Sequence, residues 1–165
     1  MKILIIKLHA LGDVIASTPF FKLINEYDDK FKVDHLVDLS CKDVTSNNPY
    51  IHNQIVSKLI LSKNKHNFLY IIFYNLLETI RLIRIVRKNK YDKVIILHRN
   101  VFFQILCKLG GIKKIAGFES KKNYFLDTSI RYTFEINRTI QEYYLLLNSG
   151  IKIKRPKFLD FHPNF

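Results

Sequence analysis

The first thirty residues constrain the fold most. A short apolar run, Lys2 to Leu8, leads through a loop holding Gly12 and Asp13 into a stretch where Val14, Phe20, Phe21, Ile24 and Tyr27 recur at three- and four-residue spacing. The run is apolar on both faces, as a central parallel strand covered by helices must be, and the spacing after it is that of a helix with one buried face. The same alternation continues along the chain. Val33 to Val37, Gln54 to Val56, Lys93 to Leu97 and Lys114 to Phe118 read as further strands. Helices are predicted over 67–89, over Val101 to Leu109 with an end at Gly110 and Gly111, and over Thr139 to Asn148 with a stop at Gly150. Strands alternating with helices predict an α/β fold with a mainly parallel sheet and helices on both faces.

At 165 residues, with 48% apolar and 25% charged side chains, the chain has the size and composition of one folded domain. Residues 1–150 are expected to form it. The segment 151–165, with prolines at 156 and 163, reads as a tail suited to a linker. Cys41 and Cys107 have neither a disulfide framework nor metal spacing, so they read as thiols in a reducing cytosol. The most membrane-like stretch, Phe68 to Leu77, stops at Glu78, Arg81 and Arg84, short of the ~20 apolar residues of a spanning helix.

Charge is uneven along the chain. Residues 1–60 carry seven lysines against seven acids, so the whole formal net charge of +13 resides in residues 61–165. Such a field concentrates anionic partners. Nucleic acid is not expected among them, because no helix-turn-helix, RNP-like aromatic motif or zinc spacing is present.

In an open parallel sheet, ligands bind outside the carboxyl ends of the strands, where the Gly12-Asp13 loop lies. Gly12 permits a tight turn or close approach of another molecule, and Asp13 is placed either to cap the helix or to project into the crevice. With no GxGxxG, the segment is not a dinucleotide fingerprint. Pro19 leaves two helix starts open: near Asp13 with a bend at the proline, which we favour, or at Thr18 as cap with Pro19 in the first position.

The run IIKLHALGDVIASTP, covering Lys7, Leu11, Gly12, Asp13, Ser17, Thr18 and Pro19, resembles the signature of glycosyltransferase family 9, the lipopolysaccharide heptosyltransferases. NNPYI at 47–51, YDKVIILHRN at 91–100, GIKKIAGFES at 111–120 and EYYLLLNSGI at 142–151 continue the likeness in order. The resemblance implies the amino-terminal, Rossmann-like half of a GT-B glycosyltransferase, with the nucleotide-sugar-binding domain absent from these residues. It implies Asp13 as general base for inverting transfer of heptose from ADP-heptose to the lipopolysaccharide inner core.

The same resemblance makes Gly12, Ser17, Thr18, His98, Arg99, Asn100 and Lys121 the expected acceptor-binding residues, with Arg99 preferred because a guanidinium can grip a carboxylate or phosphate in two parallel hydrogen bonds. Arg81, Arg84, Arg87 and Lys88 are the expected contacts to lipid phosphates of an anionic inner-leaflet surface. No metal and no cofactor is expected, and ADP-heptose is expected to bind only with a second domain. The implied location is cytoplasmic, peripheral on the inner face of the inner membrane. Two departures bear on acceptor choice: Ile95 and Ile96 stand where many members carry an acid, and Asn137 and Arg138 where many carry a histidine. The alternative reading is a non-catalytic acceptor- or anionic-lipid-binding module, or one half of a split transferase.

Overall fold

A computed structural model describes residues 1–60, 68–119 and 125–155. Six strands form one sheet: β1 (Lys2–Ile6), β2 (Lys32–Asp38), β3 (Asn53–Ser57), β4 (Lys93–Ile96), β5 (Ile115–Phe118) and β6 (Thr128–Ile130). Their order is β3-β2-β1-β4-β5-β6, and every pairing is parallel. The helices are α1 (Leu11–Tyr27), the single turn α2 (Lys42–Thr45), α3 (Phe68–Asn89), α4 (Val101–Leu109) and α5 (Arg138–Asn148).

Each face of the sheet has its own core. Ile3, Ile5 and Ile95 point to the side covered by Phe20, Phe21 and Ile24 of α1 and by Leu145 and Leu146 of α5. Leu4, Ile6 and Val94 point to the other side, against Leu82 and Val86 of α3 and Phe103 and Leu106 of α4. This is why β1 and β4 have no polar face: successive side chains both meet helices. Gly110 lies so near α3 that a Cβ there would come within 2.4 Å of Val86 Cγ1, so the α3–α4 packing itself requires the glycine. Ile151 and Ile153, at the start of the expected linker, are buried on the α1–α5 side.

Pro19 does sit inside α1, and the helix runs through it from Leu11. The proline cannot donate to the Ile15 carbonyl, four residues back. The Thr18 hydroxyl donates to that carbonyl instead, at 2.7 Å. The neighbouring Ser17 hydroxyl donates to Val14 O at 2.8 Å.

Candidate active site at the switch between β1 and β4

The chain leaves β1 for α1 on one face of the sheet and leaves the adjacent β4 for α4 on the other. Two neighbouring parallel strands whose connections diverge open a crevice beyond their carboxyl ends. The β1 loop supplies His9 and Ala10, and the β4 loop supplies His98, Arg99 and Asn100. The two histidine rings stack across the opening with centroids 6.4 Å apart. The turn into α1 is made by Ala10, with φ of 66°, whereas Gly12 lies in the first helical turn, where, apart from its own turn of helix, no described residue comes within 4 Å of where a Cβ would stand. The glycine therefore leaves free space at the mouth of the crevice.

Asp13 does not cap the helix. Ala10 occupies the cap position without a side-chain bond, and Asp13, a third exposed, turns toward α5. Arg138 Nη1 donates to its Oδ2 at 2.6 Å, and Lys7 Nζ lies 3.8 Å from the same oxygen. Among the described residues no hydrogen bond falls on Oδ1. Arg138 is fixed in turn: Nη2 donates to Leu97 O at 2.9 Å, and Nε lies 3.3 Å from Glu142 Oε1. Lys7, 1% exposed, donates to Glu142 Oε1 at 2.6 Å. Burial pushes the Lys7 ammonium down and the Glu142 carboxyl up, and the attraction between them opposes both. Two cations and two carboxylates thus form one balanced cluster, with Asp13 at its solvent end.

His98 closes the other side. Among the described residues, both ring nitrogens are buried without a hydrogen-bond partner. Burial, aided by His9, Lys7 and Arg138, pushes its pKa down to about 3, so it is a neutral imidazole at physiological pH. Arg99 is exposed and lies over the rings of Tyr132 and Phe134, 4.4 and 5.1 Å from their centroids. Gln141 ties the loop carrying those rings to α5 through Thr133 N, Thr133 O and Ile136 O.

The sequence-predicted residues divide. Asp13, Gly12, His98 and Arg99 gather at the crevice. Asn100 stands beside them with its side chain engaged at the start of α4, accepting from Phe102 N at 2.9 Å. Ser17 is buried within α1 and Thr18 closes the gap at Pro19. Lys121 lies outside the described residues. Of the basic residues on α3, Arg81 makes two hydrogen bonds to Glu78 and a third to Val56 O, and Arg87 donates to Leu109 O. Arg84 and Lys88 are exposed. Sequence reading missed Lys7, Arg138 and Glu142 as a unit. The available signals were a lysine closing an apolar strand and a glutamate in the apolar periodicity of the last helix.

An all-parallel sheet in this order, with helices on both faces and a carboxylate at the switch-point crevice, defines a Rossmann-like α/β unit of the kind that builds GT-B glycosyltransferases. The solved structures it resembles bear this out. A glycosyl transferase of family 9 from Veillonella parvula matches with a TM-score of 0.71 and 22% identity, over 92% of this chain and 42% of that one. The E. coli ADP-heptose lps heptosyltransferase II matches at 0.71 and 18%, over 92% and 41%. E. coli heptosyltransferase WaaC, solved with ADP-2-deoxy-2-fluoro heptose, matches at 0.71 and 14%, over 94% and 50%. The chain therefore spans half or less of the length of these proteins. No protein-family model and no curated protein matches it.

Proposed function

We propose that this chain is the acceptor-binding half of a heptosyltransferase-type glycosyltransferase, with Asp13 as the base. The observation that carries the reading is the one-sided anchoring of Asp13: Arg138 donates to Oδ2 at 2.6 Å, and among the described residues no hydrogen bond falls on Oδ1, which is the oxygen proposed to take the proton. In the proposed reaction an acceptor hydroxyl loses its proton to Oδ1 as its oxygen attacks the anomeric carbon. The bond from that carbon to the diphosphate breaks, ADP departs and the configuration inverts. A base within reach of the hydroxyl contributes about 10² to 10⁴ in rate. Arg99 on its aromatic shelf meets a phosphate or carboxylate of the acceptor, while His98, its ring nitrogens buried, lines the crevice wall beside it.

The proposed substrates are the lipopolysaccharide inner core as acceptor and ADP-heptose as donor, at the cytoplasmic face of the membrane. Donor binding falls to a second, nucleotide-sugar-binding lobe of the same or a separate polypeptide. A chain that holds one reactant lacks the proximity contribution and does not turn over by itself.

Amide chemical-shift mapping tests this. Titration of the 165-residue chain with a soluble inner-core acceptor is expected to move resonances of Gly12, Asp13, His98 and Arg99, and ADP-heptose is expected to move none strongly. Tight ADP-heptose binding, or acceptor shifts confined to another surface, would overturn the reading.

A further inference from the structure

A phenylalanine is held out into water at the edge of the crevice. Phe134 is 83% exposed, and a ring of that size left in water forgoes the stabilisation that burial would bring. It lies in the connection from β6 to α5, at the carboxyl end of the strands, where the crevice opens. A loop free to fold over would cover the ring, but this one is tied on both sides of it. Gln141, 3% exposed on α5, accepts from Thr133 N and donates to Thr133 O and Ile136 O, at 2.9, 2.8 and 2.7 Å. The half-buried Tyr132 ring meets Phe134 edge-on at 5.3 Å and the buried Phe118 of β5 edge-on at 5.5 Å, so the stack is footed in the core.

Arg99 completes the shelf. Its guanidinium lies 4.4 Å from the centroid of Tyr132 and 5.1 Å from that of Phe134, and among the described residues it makes no hydrogen bond and no ion pair. A guanidinium stacked on rings keeps its N–H donors in its own plane, where they stay open to an oxyanion. Lys7 and Arg138 are paired with Glu142 and Asp13, whereas Arg99 faces no carboxylate. The shelf also adjoins the anchor of the proposed base: Arg99 follows closely on Leu97, whose carbonyl holds Arg138, and Phe134 stands one helical turn's worth of chain before Arg138 itself.

We propose that this shelf is a subsite for an anionic sugar of the acceptor: the C–H face of the sugar ring stacks on Phe134, and its carboxylate or phosphate takes two hydrogen bonds from Arg99. The two parts of the shelf meet two parts of such a ligand. A pyranose presents C–H groups on one face, and an aromatic ring shields them from water while the hydroxyls at the rim stay solvated. The guanidinium supplies the paired donors that a carboxylate or phosphate accepts. A neutral sugar engages the ring alone and a free phosphate the cation alone, so the pair selects a ligand that carries both. A protein partner needs a patch of about 20–30 residues a side; one open ring and one unpaired cation match a single sugar. The subsite rests on the acceptor lying at the Asp13 crevice, and it makes Phe134 a determinant of which acceptor is held there.

The chain contains no tryptophan, so Phe134→Trp is a single fluorescent reporter that keeps a stacking ring. Its emission is expected to respond to the soluble inner-core acceptor with the same midpoint as the Gly12 and Asp13 amide shifts, and to respond little to inorganic phosphate or methyl glucoside at the same concentration. Phe134→Ala and Arg99→Gln are each expected to weaken acceptor binding by about fivefold to tenfold with far-UV circular dichroism unchanged, while Phe134→Tyr stays within about twofold of wild type. Against an acceptor analogue stripped of its carboxylates and phosphates, Arg99→Gln should lose its effect and Phe134→Ala should keep it. Unchanged acceptor affinity in Phe134→Ala, with the Gly12 and Asp13 shifts intact, would overturn the subsite and leave the proposed function standing. Acceptor shifts confined to another surface of the unsubstituted chain would overturn both. A Phe134→Ala variant that binds acceptor normally but no longer associates with a separate donor-binding lobe would also overturn the subsite, assigning the ring to the contact between lobes.

Discussion

Asp13 and Arg138, 125 positions apart, meet at 2.6 Å at the mouth of the crevice. The contact joins the first turn of α1 to the first turn of α5 and decides what Asp13 can do. A carboxylate capping its own helix would have spent its oxygens on backbone N–H groups. Held at Oδ2 by a guanidinium, Asp13 stays a third exposed and has no hydrogen bond on Oδ1 among the described residues. Arg138 is in turn aligned by Leu97 O and Glu142, so the geometry of the crevice rests on the buried pair behind it.

That pair, Lys7 and Glu142, yields a stability prediction. Lys7→Met alone leaves the Glu142 carboxyl buried beside a lost partner and is expected to cost about 3–5 kcal/mol. Adding Glu142→Leu should recover most of the loss, since apolar replacement of both members of a buried pair is often neutral. Urea unfolding of the two single variants and the double variant checks this. A double variant as unstable as the sum of the singles would show that the two residues act independently.

The hydroxyl that substitutes for the missing helix bond at Pro19 gives a second test. Thr18→Val leaves the Ile15 carbonyl without its donor and is expected to cost about 1 kcal/mol. With Pro19→Ala, residue 19 regains its N–H, and Thr18→Val should then cost measurably less. Equal costs in both backgrounds would separate Thr18 from the proline.

Acid sensitivity follows from the buried histidines. Burial holds His98 at about 3 and His35 at about 4, below the ~6.5 of an unfolded chain. Between those values the unfolded state binds more protons, so these residues' stability contribution is whole above pH ~6.5 and is lost as pH falls. Glu142, pushed up by burial, contributes with the opposite sign, which makes comparison with a variant necessary. His98→Phe is expected to lose about 1–2 kcal/mol less than wild type between pH 7 and pH 5, measured by urea unfolding. An identical loss in both proteins would show that His98 titrates normally in the fold.

The strand alternation was legible because a sheet covered on both faces needs runs such as Ile3 to Ile6 and Val94 to Ile96, and few other structures tolerate them. Strand ends were read to within a residue or two. β6 was not read, since Thr128–Ile130 is three residues long and takes its strand geometry from pairing with β5. The location of Asp13 could be read from its place after β1, but its orientation could not, because Arg138 lies on a distant helix and nothing local announces the pairing. Arg138 had stood out as a departure where a histidine is usual, and here it is the group that holds Asp13. Arg81 was read as a free surface cation although Glu78, three residues earlier on the same helix, already offered it a partner.

The central claim is that Asp13 takes the acceptor proton, and transfer measured on the chain completed by a donor-binding lobe tests it most directly. With ADP-heptose and an inner-core acceptor, Asp13→Asn is predicted to lower kcat by about 10² to 10⁴ while acceptor binding stays within a few-fold of wild type. Turnover by Asp13→Asn close to that of wild type would contradict the account.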